Sequence, residues 1–175
     1  PGQVCRGPRT LFLAYTIWRT IMKRADVPMP VKWSVALAVV QSGAPWKVLL
    51  VRRPDDDEEL PGMWGLPAAS CRTGETLEIA ARRIGPLKLG AGIILGKQLA
   101  SGKQVRASYI LEMSLFAATL DQAAPSLSAG REKGRAVTLY ADWRWGDPRE
   151  LADSARRGSL CCRLLMEALP SFEAP

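Results

Sequence analysis

The run Val31–Val40 (VKWSVALAVV) constrains this chain more than any other segment, because its second half is apolar without interruption. A strand with one wet face alternates apolar and polar residues. A continuous run of β-favouring residues therefore predicts a strand buried on both faces. Such a strand needs a sheet with a covering layer on each side. Gly43, Ala44 and Pro45 mark a turn, and Trp46–Arg53 (WKVLLVRR) returns as a second strand, so the pair predicts a hairpin. Thr76–Ile84 predicts a helix broken by Gly85 and Pro86. Further strands are expected at Ile93–Leu99, Ala107–Phe116 and Ala136–Trp145, and helices at Pro148–Arg156 and Leu160–Leu169. Strands spread along the chain with helices between them place it in the mixed α/β class.

The 175 residues suit one domain of ordinary size, and 47% hydrophobic with 23% charged residues describes a globular chain. Residues 31–175 read as that domain, and residues 1–30 as an N-terminal helical extension. In the extension Leu11, Tyr15, Trp18 and Met22 recur at helical steps, and this apolar face fits either packing on the domain or a homodimer. The apolar stretch Leu11–Met22 carries Arg19 and is shorter than the ~20 residues of a spanning helix, so no membrane segment is expected. Arg6 and Arg9 precede it as in a leader peptide, but no clean small-residue cleavage site follows.

Cys5 and Cys71 are isolated and Cys161-Cys162 are adjacent, which matches neither zinc-knuckle spacing nor a disulfide framework. A reducing, cytoplasmic setting follows, with Cys161-Cys162 read as buried, inert thiols in an apolar helix. The chain has no histidine, which excludes Ser-His-Asp, Cys-His and His-ligated metal chemistry. What remains is carboxylate, Lys, Arg, Tyr or Cys chemistry, or a metal held by oxygen. Twenty-four Lys and Arg against 17 Asp and Glu leave a net charge of +7, which favours a polyanionic partner. The basic residues are scattered, at Arg82-Arg83, Arg131/Lys133/Arg135 and Arg156-Arg157, without an aromatic stacking platform. That pattern disfavours a nucleic-acid partner. Gly130–Gly134 (GREKG) reads as a polar loop, since a phosphate cradle would need a helix after it and a strand is expected instead.

The stretch from Arg52 to Gly90 carries the most information. It runs Arg-Arg-Pro, five acids (Asp55–Glu59), Leu-Pro-Gly-Met-Trp-Gly-Leu-Pro67, then AASCRTGETLEIAARRIGPLKLG. This resembles the Nudix hydrolase family, whose box is a loop–helix–loop entered from a strand ending Arg-Arg-Pro and a Leu-Pro-Gly-x-Trp-x-Leu-Pro segment. Gly74-Glu75-Thr76 is similar to the opening of the box helix. Arg83 follows Glu75 after seven residues, and Gly90 closes the motif. A later Asp142-Trp-Arg-Trp-Gly-Asp-Pro-Arg-Glu-Leu151 again looks like the family. The resemblance spans roughly Val31–Leu169. It implies an α/β/α sandwich with a mixed sheet between helices, Mg²⁺ as cofactor, and hydrolysis of the pyrophosphate bond in nucleoside diphosphate derivatives. It gives Gly74, Glu75, Arg83 and Gly90 a structural role, with Glu75 and Arg83 paired between loop and helix.

The departures are as informative. The family's metal-binding carboxylates fall at Ile84, Leu87 and Lys88, none of them acidic, and the first box glycine is Ala69. A diphosphate hydrolase of this kind clamps Mg²⁺ with hard oxygen ligands on one helical face, and residues three and four apart share such a face. Ile, Leu and Lys there leave no anionic cage. Two functions follow. A hydrolase would need a relocated metal site, with Glu75 and Glu78 the first candidates and Glu112 and Glu132 the next. A non-catalytic domain would bind a nucleotide or a protein, with Lys88 setting an ammonium where the metal would sit and Arg52 and Arg53 offering forks for phosphate. Asp55–Glu59 reads as a solvated loop. Trp64, Trp143 and Trp145 read as core residues.

Overall fold

A computed structural model describes residues 28–127 and 140–172. The expected helical face Leu11, Tyr15, Trp18 and Met22 of the N-terminal extension, the Gly130–Gly134 loop with Glu132, and the start of the strand expected from Ala136 lie outside them.

The long apolar run forms β1 (Val31–Gln41), and the turn at Gly43 returns it as β2 (Ala44–Arg52). The two pair antiparallel only near the turn, through Val40↔Val48 and Gln41↔Ala44. Beyond that they separate, and each inner edge takes a short strand of its own. β3 (Trp64–Gly65) pairs with Val51 and Arg52 of β2, and β4 (Ala68–Ser70) pairs with Ser34–Ala36 of β1. The outer edge of β1 pairs parallel with β6 (Ile110–Leu120), which pairs antiparallel with β5 (Ile93–Val105). The outer edge of β2 pairs antiparallel with β7 (Asp142–Gly146). The sheet is thus mixed, and it is forked at its centre.

Both faces of β1 are buried, as its composition requires. Ala36 and Ala38 join Val48, Leu50, Leu111, Met113 and Leu115 on one face, covered by Leu151 and by Leu160, Cys161, Cys162, Leu164 and Leu165. These come from a 3₁₀ turn (Pro148–Leu151) and α3 (Leu160–Phe172), which flank the short α2 (Ala152–Arg156). Val35, Leu37 and Val39 face the other way, against Ala80, Ala81 and Ile84 of α1 (Leu77–Ile84) and against Leu89. Burial of this size on both sides, at ~25 cal/mol per Å² of apolar area, is what holds three layers together.

Two expectations need correction. The expected helix forms, with the Thr76 side chain capping it by accepting from Ile79 N–H, but Gly85-Pro86 does not break it. The chain continues as a π-helical turn over Gly85–Leu89, closed by Gly90 N–H on Gly85 O. The wider turn relieves the crowding that a proline ring imposes on the preceding carbonyls. Gly85 is required by closeness, since a Cβ there would lie 2.3 Å from Ala91 O. Gly90 takes the left-handed conformation that ends the turn, at φ 57°. The second correction concerns β5 and β6, which reach Val105 and Leu120, well past the expected Leu99 and Phe116. Beyond Leu99 β5 runs Ala-Ser-Gly-Lys-Gln-Val, mostly small or polar and alternating half-buried with exposed, which hides its strand signal.

Candidate functional site

The fork between β1 and β2 opens into a cleft of about 710 Å³. β4 and the end of β3 form its floor, with Ser159 and Cys161 from the start of α3. Four basic residues reach it: Lys32 from β1, Arg53 after β2, Lys88 from the π turn and Arg106 from the β5–β6 hairpin.

Lys88, near the end of the box segment, faces the cleft. Its ammonium donates to Ala68 O at 2.8 Å and sits 5.2 Å from the centroid of the Tyr140 ring. Tyr140 is tied to the same strand, its hydroxyl accepting from Ala68 N–H at 2.9 Å. Burial, with Arg53 and Arg83 adding like charge, lowers Lys88 to about 8. Burial also pushes the Tyr140 hydroxyl up, so it stays protonated. Arg53 is aimed by Asp57, at 2.8 Å. Burial acts against the charge on both partners, but their mutual hydrogen bond, with the Leu60 amide on Asp57, overrides it and favours the ion pair. Asp57 Oδ1 accepts from Leu60 N at 2.9 Å and Glu59 N at 3.1 Å, which folds the acidic loop around itself. Glu59 in turn accepts from the Tyr109 hydroxyl at 2.9 Å.

The other expected site residues are elsewhere. Arg52 points away from the cleft, as strand alternation demands, and pairs with Asp55. Glu75 takes Arg83 in a two-pronged grip, Nε to Oε1 at 2.7 Å and Nη2 to Oε2 at 2.8 Å, and also accepts from Arg72 N at 2.8 Å. Arg83 Nη2 donates onward to Ser70 O at 3.0 Å, joining loop, helix and β4. Hydrogen bonding from Arg83 holds Glu75 at about 2, far below the usual carboxylate range. Gly74 bends the loop at φ 76°. Glu78 is exposed in the first turn of α1. Glu112 pairs across strands with Lys103 at 2.6 Å. Trp64 packs on the α3-side core with the Arg144 guanidinium 4.7 Å above its ring, and Trp143 and Trp145 meet edge to face on the α1 side.

The residues present do not fit Mg²⁺ as the family resemblance implies it. Ile84 is fully buried in the apolar cluster, Lys88 is a cation in the cleft, and Glu75 is engaged on both oxygens. Among the described residues no group of three or more Cys, Asp and Glu is gathered to hold a metal. Nor do Ile84 and Lys88 share one face, as regular helical spacing suggests. An i→i+5 bond adds a residue to the turn, so Ile84 enters the core while Lys88 enters the cleft. Tyr140 and Tyr109 were not visible as site residues in the sequence. Neither belongs to the box, and only the fork brings them to it.

No protein-family model matches the sequence, and no curated protein matches it. Solved structures do. The MutT protein from Methanosarcina mazei Go1 superposes with a TM-score of 0.60 at 12% identity, covering 85% of this chain and 100% of that one. A NUDIX hydrolase from Nitrosomonas europaea gives 0.62 at 16% identity, over 83% and 93%. A UDP-X diphosphatase gives 0.56 at 15% identity, over 92% and 73%. Among the described residues no helix is long and apolar enough to cross a membrane. The forked mixed sheet, the loop–helix clamp and these superpositions together show that the chain has a Nudix-like fold, an α/β/α sandwich.

Proposed function

We propose that the cleft binds a nucleoside diphosphate-type small molecule without hydrolysing it, using Lys88 and Arg53 for the phosphates. The observation that carries this reading is the Lys88 ammonium, which lies in the cleft beside Tyr140 where the resemblance would set metal-binding carboxylates. An ammonium is a compact point charge and a guanidinium a planar fork, and the two suit adjacent phosphates. The cleft volume lies in the range of small-molecule sites, ~300–1,000 Å³. Four acids, Asp56 to Glu59, line the same cleft, and of these Asp57 is paired with Arg53 and Glu59 accepts from Tyr109. Hydrolysis would further require a group that activates water and neutralises the charge developing at phosphorus, and the described residues supply no such cage.

Thermal melting in EDTA with a panel of nucleoside diphosphate compounds tests the proposal. A ligand at one hundred times its dissociation constant should stabilise the fold by about 2.7 kcal/mol. Unchanged melting with every compound retires the reading. The folds of the superposing hydrolases favour one second reading, pyrophosphate hydrolysis with a metal held by other acids. Metal-dependent phosphate release from any member of the panel would put that reading in place of the first.

A further inference from the structure

Lys88 and Arg53 do not exhaust the basic side chains of the cleft. Lys32 from β1, with Arg106 and Tyr109 from the β5–β6 hairpin, lines it as well. The Lys32 ammonium sits 5.2 Å from the centroid of the Tyr109 ring, and among the described residues no carboxylate pairs with it. Arg106 is only partly satisfied. Its Nη2 donates to Gly158 O at 3.2 Å and lies 3.9 Å from Glu59 Oε2, while its Nε is buried without a hydrogen-bond partner. A buried donor left unpaired is costly, so a further acceptor at this guanidinium would be stabilising.

The acid that meets Arg106 belongs to the loop Asp55–Glu59, which has one fixed end and one loose end. Asp57, with its side chain 9% exposed, accepts from Arg53 and from the Glu59 and Leu60 amides. Glu59 is 44% exposed and has only the Tyr109 hydroxyl at 2.9 Å and the more distant Arg106. Burial, with the bond to Glu59, pushes the Tyr109 hydroxyl up, so it stays protonated and donates to that carboxylate. From sequence the five acids read as a solvated loop. The partners that engage Glu59 come from a hairpin some fifty residues on, which leaves no local mark.

We propose, resting on phosphate binding at Lys88 and Arg53, that Lys32 and Arg106 form a second anion subsite of the cleft, latched by Glu59 until an anionic group of the ligand displaces it. A half-exposed ion pair of this length is weak. A phosphate brings more charge and more acceptor oxygens, and guanidinium forks match it. Tyr109 is the catch, since its hydroxyl fixes Glu59 in place without adding charge. Asp57 keeps its three donors, so the loop opens at Glu59 and stays rooted at Arg53. The ligand class narrows accordingly, to nucleoside diphosphate derivatives whose second group carries a negative charge of its own.

The test is calorimetric titration of inorganic tripolyphosphate, in EDTA, into the full chain and its variants. Glu59→Gln should bind about 3-fold more tightly or better. Tyr109→Phe, which alters no charge, should also bind more tightly than wild type. Glu58→Gln removes the same charge from the same cleft-lining loop but leaves the latch, and should change affinity by less than about 2-fold. Arg106→Gln should weaken binding about 10-fold, and Glu59→Gln should bring no gain in that background. Equal gains from Glu58→Gln and Glu59→Gln, or a Glu59→Gln gain that survives without Arg106, overturn the latch. Wild-type binding that none of these variants changes overturns the subsite and leaves phosphate binding at Lys88 and Arg53 standing. Absence of binding in wild type and every variant overturns both.

Discussion

The two ends of the box segment behave in opposite ways. At its start Glu75 and Arg83 close on each other, with the Arg72 amide and the Ser70 carbonyl completing the network. Charge there is matched, and it joins a loop to a helix and a strand. At its end the π turn delivers Lys88 into the cleft, where the nearest acid, Asp57, is already bonded to Arg53. Charge there is unmatched. Matched charges stabilise a local shape, whereas an ammonium without a paired carboxylate in a cleft is what the proposed anion binding would use. On the proposed reading, one end of this segment builds structure and the other meets the ligand.

The sharpest way to break this contrast is to place an acid at the first position where the resemblance implies one. Ile84 has no exposed surface and packs among Val35, Leu37 and Ala81. Ile84→Glu places an unpaired carboxylate in that cluster, and the domain should lose about 4 kcal/mol or more in urea unfolding. It should gain no Mg²⁺-dependent stabilisation, because the residue faces the core. A variant that stayed folded and bound Mg²⁺ would show that position 84 still turns toward the cleft.

Glu75→Ala comes next. It leaves the Arg83 guanidinium and the Arg72 amide without their acceptor, at a site where the carboxylate side chain is 7% exposed. A loss of about 2–3 kcal/mol is expected, and binding of nucleotides in the cleft should persist. The pair also has a pH signature. Arg83 holds Glu75 at about 2 in the folded state, against 4.5 for an ordinary glutamate. A depressed carboxylate stabilises the fold fully above its unfolded value, and that contribution is lost as pH falls from 4.5 toward 2. Wild type minus Glu75→Gln should therefore narrow steadily over this window. A constant difference would mean that the grip does not depend on the charge.

These outcomes bear on what the sequence carries. Local patterns such as the apolar run of β1, the Thr76 cap and the Glu75–Arg83 spacing are legible because the residues that specify them are neighbours or one helix apart. The fork is not legible. It arises because β1 and β2 pair only at Val40–Gln41 and then admit β3 and β4, and pairing register across a sheet leaves no local mark. The cleft inherits that invisibility, so Tyr140, Tyr109 and Cys161 reach it from three separate parts of the chain. The π turn is a third case. Gly85-Pro86 signals a break, but whether the chain stops or widens depends on the contact with Ala91 and Ile93, which only the packed structure supplies.

The smallest effect tests the unmatched end. Burial, aided by Arg53 and Arg83, lowers Lys88 from 10.5 to about 8, so the folded state disfavours its charged form. Below pH 8 both folded and unfolded chains carry the proton, and the folded state bears the full cost of an unpaired ammonium. Between 8 and 10.5 the unfolded chain binds more protons than the folded one, so stability should rise with pH through that window. Lys88→Met removes the titrating group. It should be more stable than wild type at pH 7 by about 1 kcal/mol, with the advantage shrinking by pH 9.5. The same substitution should weaken nucleotide binding at pH 7 by about 10-fold, since one charge-assisted contact to phosphate contributes about 1.5–3 kcal/mol. In wild type that binding should weaken as Lys88 loses its proton above pH 8. A methionine variant less stable than wild type at pH 7 would show that the Ala68 and Tyr140 contacts already satisfy Lys88, and that no anion is needed to complete the site.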